Sequence, residues 1–406
     1  MADTARARTH PRPGRRGARV IVGLSGGVDS AVAALLLLEA GYEVQGLFMS
    51  NWEEDDAYCT GAQDYQDARA IARELGIVLH RVNFSEQYRE RVFRGFLDEY
   101  RAGRTPNPDV LCNREIKFGL CLHYALRLGA AWFATGHYAQ RRDAADGPAL
   151  YQAVDEEKDQ TYFLHAIERA CLARVLLPLG RLRKAQVRER ARRGGLRVHD
   201  KPDSTGICFI GERPFGEFLG RYLPAVPGPI ETLDGQRLGE HRGLPFYTLG
   251  QRAGLALGGA RGRAAEPWYV AAKLPARNAL LVVQRHEQHR LEARRVHIGR
   301  IRWLCAPRGA GFTAQVRLRH RQPQQTAHVQ PTPDGGALLS FDVGQRAATP
   351  GQYAVLYEGG RCLGGAVIEA VDAMANTLSG EPECQPPLRS QAGITSTSSS
   401  APRPRV

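Results

Sequence analysis

Beginning at Arg19, strand-like runs alternate with helix-like runs. In order they read RVIVGL, AVAALLLLEAG, YEVQGLFM, DYQDARAIARELG and IVLHRVNF. Strands that alternate with helices pack as a parallel sheet, because each crossover helix returns the chain to the same edge. The pattern predicts a doubly wound α/β domain over residues 18–215. Further helices are expected at 86–101 and 115–128, and a further strand in AWFATGHYA.

The remainder of the chain predicts two smaller domains and two tails. Residues 216–290 are rich in Gly and Pro with short apolar runs, which is typical of a small mixed central domain. Residues 291–371 contain short alternating segments, including FTAQVRLRHR and GALLSFDV, which predict an antiparallel β-barrel. The basic residues 1–17 and the Ser-, Thr- and Pro-rich residues 372–406 are expected to be disordered.

The charge balance favours a polyanionic partner. Lys and Arg number 55 against 42 Asp and Glu, giving a net charge of +13. Each phosphate that such a surface neutralises releases counterions, so nucleic acid is the leading candidate. An arginine-rich composition spread over solvated faces would give the same total, and charge by itself does not separate the two.

The sequence indicates a soluble protein of a reducing compartment. No stretch of about eighteen apolar residues could span a bilayer, and the first 19 residues lack the apolar segment of a secretory signal. The eight cysteines include no CxxC pair and lack the dense spacing of a secreted disulfide scaffold. We therefore expect a cytoplasmic location and no membrane partner.

Residues 23–30, GLSGGVDS, lie between the first predicted strand and the first helix. The paired glycines let the backbone approach phosphate oxygens, Ser25 and Ser30 offer hydroxyls, and the helix start offers free N–H groups. Asp29 is placed to orient a metal ion or a loop amide. The segment matches neither GxxxxGK(S/T) nor GxGxxG. It resembles the pyrophosphate loop of ATP pyrophosphatases, which adenylate a substrate oxygen; a glycine-rich turn that binds nothing is the alternative.

Two cysteines stand in segments rich in polar and turn-forming residues. Cys112 lies in TPNPDVLCNREIKF, where Arg114 and Lys117 would favour the nucleophilic thiolate. Cys208 follows a glycine in DSTGICFIGER, a loop-like segment that would let a persulfide move. Asp109 is a candidate general acid or base. The alternative for a lone cysteine is a small buried core residue, and we keep that interpretation for Cys121, Cys171, Cys305 and Cys362.

Seven strings spread along the chain carry a family resemblance. In order they are GLSGGVDS, GLFMSNWEEDD, TPNPDVLCNREIKF, ATGHYA, KDQTYFL, DSTGICFIGER and LGQRAGL. In sequence and in interval they resemble the tRNA-specific 2-thiouridylase family over residues 18–371. The resemblance implies an ATP-dependent tRNA-uridine 2-sulfurtransferase that acts on the wobble uridine in the tRNA anticodon stem-loop.

The resemblance also implies roles for individual residues. The ATP-binding positions are Gly23, Leu24, Ser25, Gly26, Gly27, Val28, Asp29 and Ser30, with Met49 and Gly136 near the base and ribose. Cys112 matches the catalytic cysteine, and Cys208 matches the cysteine that carries a persulfide. The positions that meet the flipped target base are Asn107, Pro108 and Asp109. The other tRNA-contacting positions are His137, Lys158, Asp159, Gln160, Arg319, His320 and Gln352; for the last three an ordinary barrel surface is the alternative.

The implied reaction is chemically coherent. The uracil 2-carbonyl oxygen attacks the α-phosphate of ATP with help from Mg²⁺, which makes AMP the leaving group and releases pyrophosphate. A persulfide donor or relay protein supplies sulfur to Cys208. The terminal sulfur then attacks directly, or Cys112 attacks the persulfide and releases hydrosulfide, and both routes can end in a Cys112–Cys208 disulfide. The base must leave the anticodon stack, at a cost of roughly a few kcal/mol.

Three other functions are compatible with parts of this pattern. An ATP pyrophosphatase that transfers ammonia would be expected to carry a glutaminase-like domain, and none is visible. An Fe–S-dependent thiolase would ligate a cluster through Asp109, Cys112 and Cys208, and its iron content and visible absorption would reveal it. A non-catalytic RNA-binding protein would bind tRNA tightly without releasing pyrophosphate from ATP.

Overall fold

The strands that the structure describes form three β-sheets. The computed structural model describes residues 17–52, 61–203, 215–257 and 266–373. The predicted sulfur carrier Cys208 and nearly all of the two predicted tails lie outside the described residues. Among the helices that are described, none is long and apolar enough to cross a membrane.

The first sheet is parallel and has both faces buried. In chain order the strands of this region are β1 (Arg19–Gly23), β2 (Glu43–Ser50), β3 (Leu79–Asn83), β4 (Trp132–Ala134), β5 (Gln140–Ala144), β6 (Gly147–Tyr151) and β7 (Val175–Leu176). The parallel order is β3-β2-β1-β4-β7. Ile21 packs in one apolar cluster while Val20 and Val22 pack in another, so both faces of β1 are covered. The predicted doubly wound sheet is confirmed.

Helices surround this sheet, and two of the helical stretches are π-helical. The α-helices are α1 (Val28–Glu39), α2 (Gly61–Glu74), α3 (Ser85–Tyr88), α4 (Arg94–Arg101), α5 (Pro108–Leu111), α6 (Leu122–Arg127), α7 (Thr161–Leu164), α8 (Lys184–Arg193) and α9 (Phe215–Gly220). The π-helical stretches Arg89–Phe93 and Cys112–Cys121 join α3 to α4 and α5 to α6. Short 3₁₀ turns cover Arg169–Arg174, Arg197–Asp200, Leu244–Phe246, Pro275–Arg277 and Arg285–Leu291.

The helix that carries Cys112 starts earlier than the sequence pattern indicated. The helix predicted at 86–101 is confirmed, but the one predicted at 115–128 begins at Pro108. Proline at the first helical position needs no N–H partner and has a suitable φ, so PDVL starts a helix there. Cys112 therefore lies within a helical run and not in a turn.

The second sheet is small and mixed, as predicted for the central domain. Its strands are β8 (Gly228–Thr232), β9 (Arg237–His241), β10 (Trp268–Leu274) and β11 (Ala279–Gln284), in the order β10-β11-β8-β9. The β8–β11 pair is parallel, whereas the β8–β9 and β10–β11 pairs are antiparallel.

The third sheet is a closed antiparallel barrel, which confirms the predicted C-terminal fold. Its strands are β12 (Glu292–Ile298), β13 (Arg302–Trp303), β14 (Phe312–Arg317), β15 (Gln325–Pro331), β16 (Ala337–Arg346), β17 (Tyr353–Glu358) and β18 (Arg361–Ala373). The order β12-β16-β15-β14-β17-β18 closes because β18 also pairs with β12, while β13 pairs with β18. β18 continues two residues beyond the predicted end of the barrel.

Two features join the barrel to the first domain. The β5–β6 hairpin, which the sequence pattern did not predict, pairs with β18 through Leu150 and Cys362. Asp159 Oδ2 accepts a hydrogen bond from Arg317 Nη1 of β14 at 2.8 Å, and the two side chains are 0% and 11% exposed. Removing either partner would leave a buried charge unpaired, so this ion pair resists separation of the two domains.

Candidate active site at the glycine-rich loop

The loop after β1 folds around the hydroxyl of Ser30. The Ser25 N–H donates to Ser30 Oγ at 3.2 Å, and Ser30 Oγ donates to the Gly27 carbonyl at 3.0 Å. Gly26 has φ +80°, and a Cβ there would lie 2.5 Å from the Asp64 carbonyl oxygen. Glycine is therefore required at residue 26 for both conformation and space. α1 begins directly after Gly27, so the N–H groups of its first turn lie at the loop.

Gly136 packs against the same helix start. It follows β4, and a Cβ at this position would lie 2.8 Å from both the carbonyl carbon of Asp29 and the nitrogen of Ser30. The carboxyl end of β4 thus reaches the first turn of α1 only because residue 136 has no side chain. This contact fixes the position of the loop from the β4 side.

We expect Gly136→Ala to weaken ATP binding by about tenfold or more, because the added methyl must displace the first turn of α1. Overpacking of this kind costs about 1–3 kcal/mol of stability. Calorimetric titration with ATP and thermal unfolding would measure the two effects. Gly95→Ala is the matched control, since a Cβ on that α4 glycine meets nothing within 4 Å. Unchanged ATP affinity in Gly136→Ala would contradict the tight contact.

A lysine links the loop to two aspartates. Lys184, the first residue of α8, places Nζ 2.8 Å from both carboxylate oxygens of Asp29 and 2.7 Å from Asp203 Oδ1. Its side chain is 13% exposed. Tyr138 donates its hydroxyl to Asp29 Oδ1 at 2.8 Å, and burial together with Asp29 raises the pKa of Tyr138. Tyr138 therefore stays a neutral donor at physiological pH.

Further cations surround this pair of aspartates. Lys158 Nζ and Arg188 Nη2 lie 2.8 and 2.9 Å from the carboxylate of Asp203. Burial alone would raise the pKa of Asp203, but hydrogen bonds from Lys158 and Lys184 lower it to about 2. On the other side of the loop, Lys201 Nζ donates to the Gly26 carbonyl at 3.2 Å. It also pairs with the α2 carboxylates of Asp64 and Asp67.

Cys112 is the first residue of the π-helical stretch and is 0% exposed. The neighbouring Arg114 guanidinium pairs with Glu115 at 2.6 Å, so its charge is partly compensated. Met49 of β2 contacts this helix through Cys121, with Sγ and Sδ 3.3 Å apart. A movement of the surrounding chain is therefore needed before the Cys112 thiol can react with any other molecule.

Two buried carboxamides near strand and helix ends lack partners among the described residues. Asn107 caps α5 without a side-chain cap bond, and its Oδ1 is buried and unpaired. Asn51, directly after β2, is 1% exposed, and neither of its amide atoms has a partner there. An unsatisfied buried polar group costs about 1–3 kcal/mol. A ligand that supplies the missing hydrogen bonds would recover this energy.

His137 and Gln160 are held next to the Tyr138 backbone. The Thr135 hydroxyl and His137 Nδ1 lie 2.8 Å apart, and burial, with a contribution from Lys117, lowers the pKa of His137 well below its ordinary value. The imidazole is therefore neutral. Gln160 Oε1 accepts the N–H of Tyr138 at 2.9 Å. Both residues therefore lie next to Tyr138, whose hydroxyl donates to Asp29.

The predicted barrel residues lie at domain junctions instead of on an ordinary barrel surface. Arg319 Nη2 donates to the Leu249 carbonyl of the central domain at 3.0 Å and to the Ala347 carbonyl at 2.7 Å. The His320 ring lies 4.3 Å from that of Phe163 in α7. The predicted residues Asp159 and Gln352 also take part in interdomain hydrogen bonds.

Family models cover three consecutive stretches. They are the tRNA methyl transferase HUP domain over residues 18–212, the tRNA methyl transferase PRC-barrel domain over 216–284 and the Aminomethyltransferase beta-barrel domain over 293–368. The tRNA-specific 2-thiouridylase MnmA of Pseudomonas putida (strain GB-1) is 52% identical over 361 residues, 87% of this chain and 95% of that protein. The MnmA of Dichelobacter nodosus (strain VCS1703A) is 54% identical over 359 residues, again 87% and 95%. The chain belongs to the tRNA-specific 2-thiouridylase family.

Solved structures show a weaker likeness to this chain. The U34-tRNA thiolase NcsA from Methanococcus maripaludis, with its 4Fe-4S cluster, is 20% identical over 50% of this chain and 65% of its own, with a TM-score of 0.33. A 4-thiouridine synthetase in complex with RNA and bound ATP is 19% identical over 50% of each chain, with a TM-score of 0.31. Neither likeness bears on function.

Sequence reasoning missed several polar residues around the glycine-rich loop. They are Lys184, Asp203, Tyr138, Lys201 and Asn51. One signal was present: the chain has only five lysines against fifty arginines. Three of the five, at 158, 184 and 201, contact the aspartates around the loop. A lysine ammonium is more compact than an arginine guanidinium, and the two side chains are not interchangeable. In a chain this rich in arginine, the few lysines therefore indicate candidate site residues.

The other four described cysteines resemble core residues. Cys121, Cys305 and Cys362 are buried, which confirms that prediction, while Cys171 is half-buried. Burial raises the pKa of all four thiols, to about 12 for Cys121. A thiol held protonated is a poor nucleophile, so these four cysteines are weaker candidates for the sulfur chemistry than Cys112 and Cys208.

Proposed function

We propose that this protein makes 2-thiouridine in tRNA. ATP adenylates the 2-carbonyl oxygen of the wobble uridine, and persulfide-derived sulfur then replaces that oxygen, releasing AMP. Family membership supports the reaction class. The observation that carries the ATP step is the Lys184 ammonium between Asp29 and Asp203, beside a glycine loop at the carboxyl edge of a parallel sheet.

The loop and its lysines suit a triphosphate. Ligands of open α/β sheets bind outside the carboxyl ends of the strands, where the helix N–H groups and the Ser25 and Ser30 hydroxyls lie. The phosphate oxygens of ATP would compete with Asp29 and Asp203 for Lys184. Because charge builds up on phosphate during transfer, a preorganised ammonium there would lower the barrier to adenylation.

Mg²⁺ fits this site as a partner of the nucleotide. No group of three or more His, Cys, Asp or Glu that could hold a metal ion occurs among the residues the structure describes. Mg²⁺ commonly takes one or two carboxylates, with phosphates and water completing its shell. Asp29 and Asp203 are the acidic side chains that would hold it, and its charge would offset that of the phosphates.

The predicted base-binding segment has matching chemistry. The unpaired Asn107 Oδ1 is an acceptor suited to the N3–H of uracil. Pro108 fixes the start of α5, and Asp109 follows as the candidate general acid or base. We assign three further residues to tRNA contact: the partly exposed Lys158, the neutral His137 and Gln160. Asp159, Arg319 and His320 would act by holding the domains that face the RNA.

Sulfur delivery is assigned to Cys208 and Cys112. Asp203 is anchored by Lys158 and Lys184, and Cys208 follows five residues later. The persulfide on Cys208 would come from a donor or relay protein. A cytoplasmic location, where thiols stay reduced, suits this chemistry.

The test is a complete reaction with purified protein. An unmodified tRNA with uridine at the wobble position is incubated with ATP, Mg²⁺ and a sulfide source, and its nucleosides are analysed by mass spectrometry. We expect 2-thiouridine in amounts matched by AMP and pyrophosphate. Tight tRNA binding without pyrophosphate release would contradict the proposal. Thiolation that depends on protein-bound iron would replace the persulfide route with a cluster.

A further inference from the structure

The chain between α4 and α5, residues 103–107, has no regular secondary structure, yet it is firmly packed. Thr105 is 8% exposed. The loop leads directly into Pro108, the first residue of the helical run that carries Asp109 and Cys112. Because Asn107, the last residue of the loop, directly precedes Pro108, a displacement of the loop is passed on to the helix start.

The barrel holds one side of this loop. Gln352 Nε2 donates to the Thr105 carbonyl at 2.8 Å and to the Pro106 carbonyl at 3.3 Å. The Thr105 N–H donates to the Pro350 carbonyl at 3.0 Å. Gly351 has φ +92°, and a Cβ there would lie 2.9 Å from the backbone nitrogen and oxygen of Thr105. The barrel turn and the loop are thus in backbone contact.

The central domain holds the other side. Lys273 Nζ donates to the Gly103 carbonyl at 3.1 Å, and burial lowers the pKa of Lys273 to about 8. The hydroxyl oxygens of Thr248 and Thr105 lie 3.4 Å apart. Arg319 ties the central domain to the barrel through carbonyls of both. All three domains therefore meet at residues 103–107.

We propose that the barrel and the central domain clamp this loop, and that Gln352 is a positioning residue for the segment 107–112. The observed hydrogen bonds favour this role over a phosphate contact. Gln352 Nε2, the donor atom of the side chain, is already within hydrogen-bond distance of two loop carbonyls. Phosphate oxygens only accept hydrogen bonds, so the remaining Gln352 oxygen has nothing to offer them. The inference rests on the proposed function, because it assigns catalytic work to Asp109 and Cys112.

Gln352→Glu tests the clamp, since it keeps the shape of the side chain and replaces its donor with a negative charge facing two carbonyls. Without tRNA, we expect iodoacetamide to alkylate Cys112 about tenfold faster or more, because loop release opens the helix start. At saturating tRNA, kcat for thiolation should fall about 10- to 100-fold through misplacement of the segment. The tRNA Kd should stay within about threefold. Gln352→Met, which removes the donor without adding a charge, should shift the alkylation rate and kcat in the same directions by smaller factors and should also leave the tRNA Kd within about threefold.

Two controls separate the clamp from other effects. Gln315→Glu changes a β14 glutamine whose side-chain amide donates to Thr326 Oγ1, away from residues 103–107, and it should leave Cys112 alkylation and kcat unchanged. Alkylation of buried Cys305 reports any general loosening of the barrel. If both Gln352 variants keep the wild-type Cys112 alkylation rate and kcat but bind tRNA more weakly, Gln352 is an RNA contact and the proposal is wrong. Alkylation needs no turnover, so faster Cys112 alkylation would support the clamp even in a protein that makes no 2-thiouridine.

Discussion

Cys112→Ser is expected to lower the rate of thiolation by a factor on the order of 10³ or more, while tRNA-dependent cleavage of ATP continues. The serine hydroxyl cannot carry or attack sulfur as a thiolate does, whereas adenylation of the uracil oxygen requires only the loop and its lysines. The adenylated tRNA should then accumulate or hydrolyse. Single-turnover assays that follow pyrophosphate and 2-thiouridine separately would measure this split.

The accompanying variants keep the Cys112 prediction sharp. Cys208→Ser should behave in the same way, because both thiols belong to the sulfur step, and both variants should bind tRNA within about threefold of wild type. Cys112→Ala guards against a folding defect from burying a hydroxyl. The half-buried Cys171→Ser is the control and should thiolate normally. Equal loss of tRNA binding in both thiol variants would count against the assignment.

Lys184→Met is expected to lower kcat/KM for ATP in the adenylation step by about 10² to 10³. The methionine keeps the length of the side chain but removes the ammonium that faces Asp29 and Asp203. Loss of one preorganised donor to a developing charge typically costs that much in rate. The tRNA Kd should stay within about threefold. ATP-dependent pyrophosphate release at varied ATP concentrations would measure the change.

The control for Lys184 lies on the same helix. Arg190→Met removes a half-exposed cation that pairs with Glu39, and it should leave ATP kinetics unchanged. Asp29→Ala should also weaken adenylation and spare tRNA binding. If Lys184→Met lowers thermal stability strongly and Asp29→Ala has no effect on adenylation, the cluster is structural and the ATP site must be elsewhere.

Residues of the barrel contact the first domain directly, so the barrel helps to position segments of that domain. Arg317 reaches Asp159 in the first domain, and Gln352 reaches Thr105. The β5–β6 hairpin of the first domain extends the barrel sheet. The predicted base-binding segment, residues 107–109, therefore belongs to an assembly of three domains, and its position depends on contacts with all of them.

Much of the architecture follows from local sequence pattern. Apolar runs of strand and helix length are set by side-chain period, and this period is visible in a short window. The alternation from Arg19 onward therefore predicted the parallel sheet, and the short alternating segments after residue 291 predicted the barrel. Residues 23–30 could be predicted as a phosphate loop for the same reason, since phosphate binding by a loop needs glycines, hydroxyls and a helix start close together in sequence; that role stays a prediction.

Other features were decided only by the tertiary structure. Lys184 stands far from Asp29 in sequence, and nothing in its local pattern shows that their charges meet at 2.8 Å. Three other features likewise depend on segments that are distant in sequence. They are the pairing of the β5–β6 hairpin with β18, the burial of Cys112 in a π-helical stretch and the contact of Gln352 with Thr105. Hydrogen bonds and ion pairs act over a few ångströms in space, whatever the separation along the chain. The sequence by itself determined which groups the protein has and which elements form; folding decided which of those groups came within reach of one another.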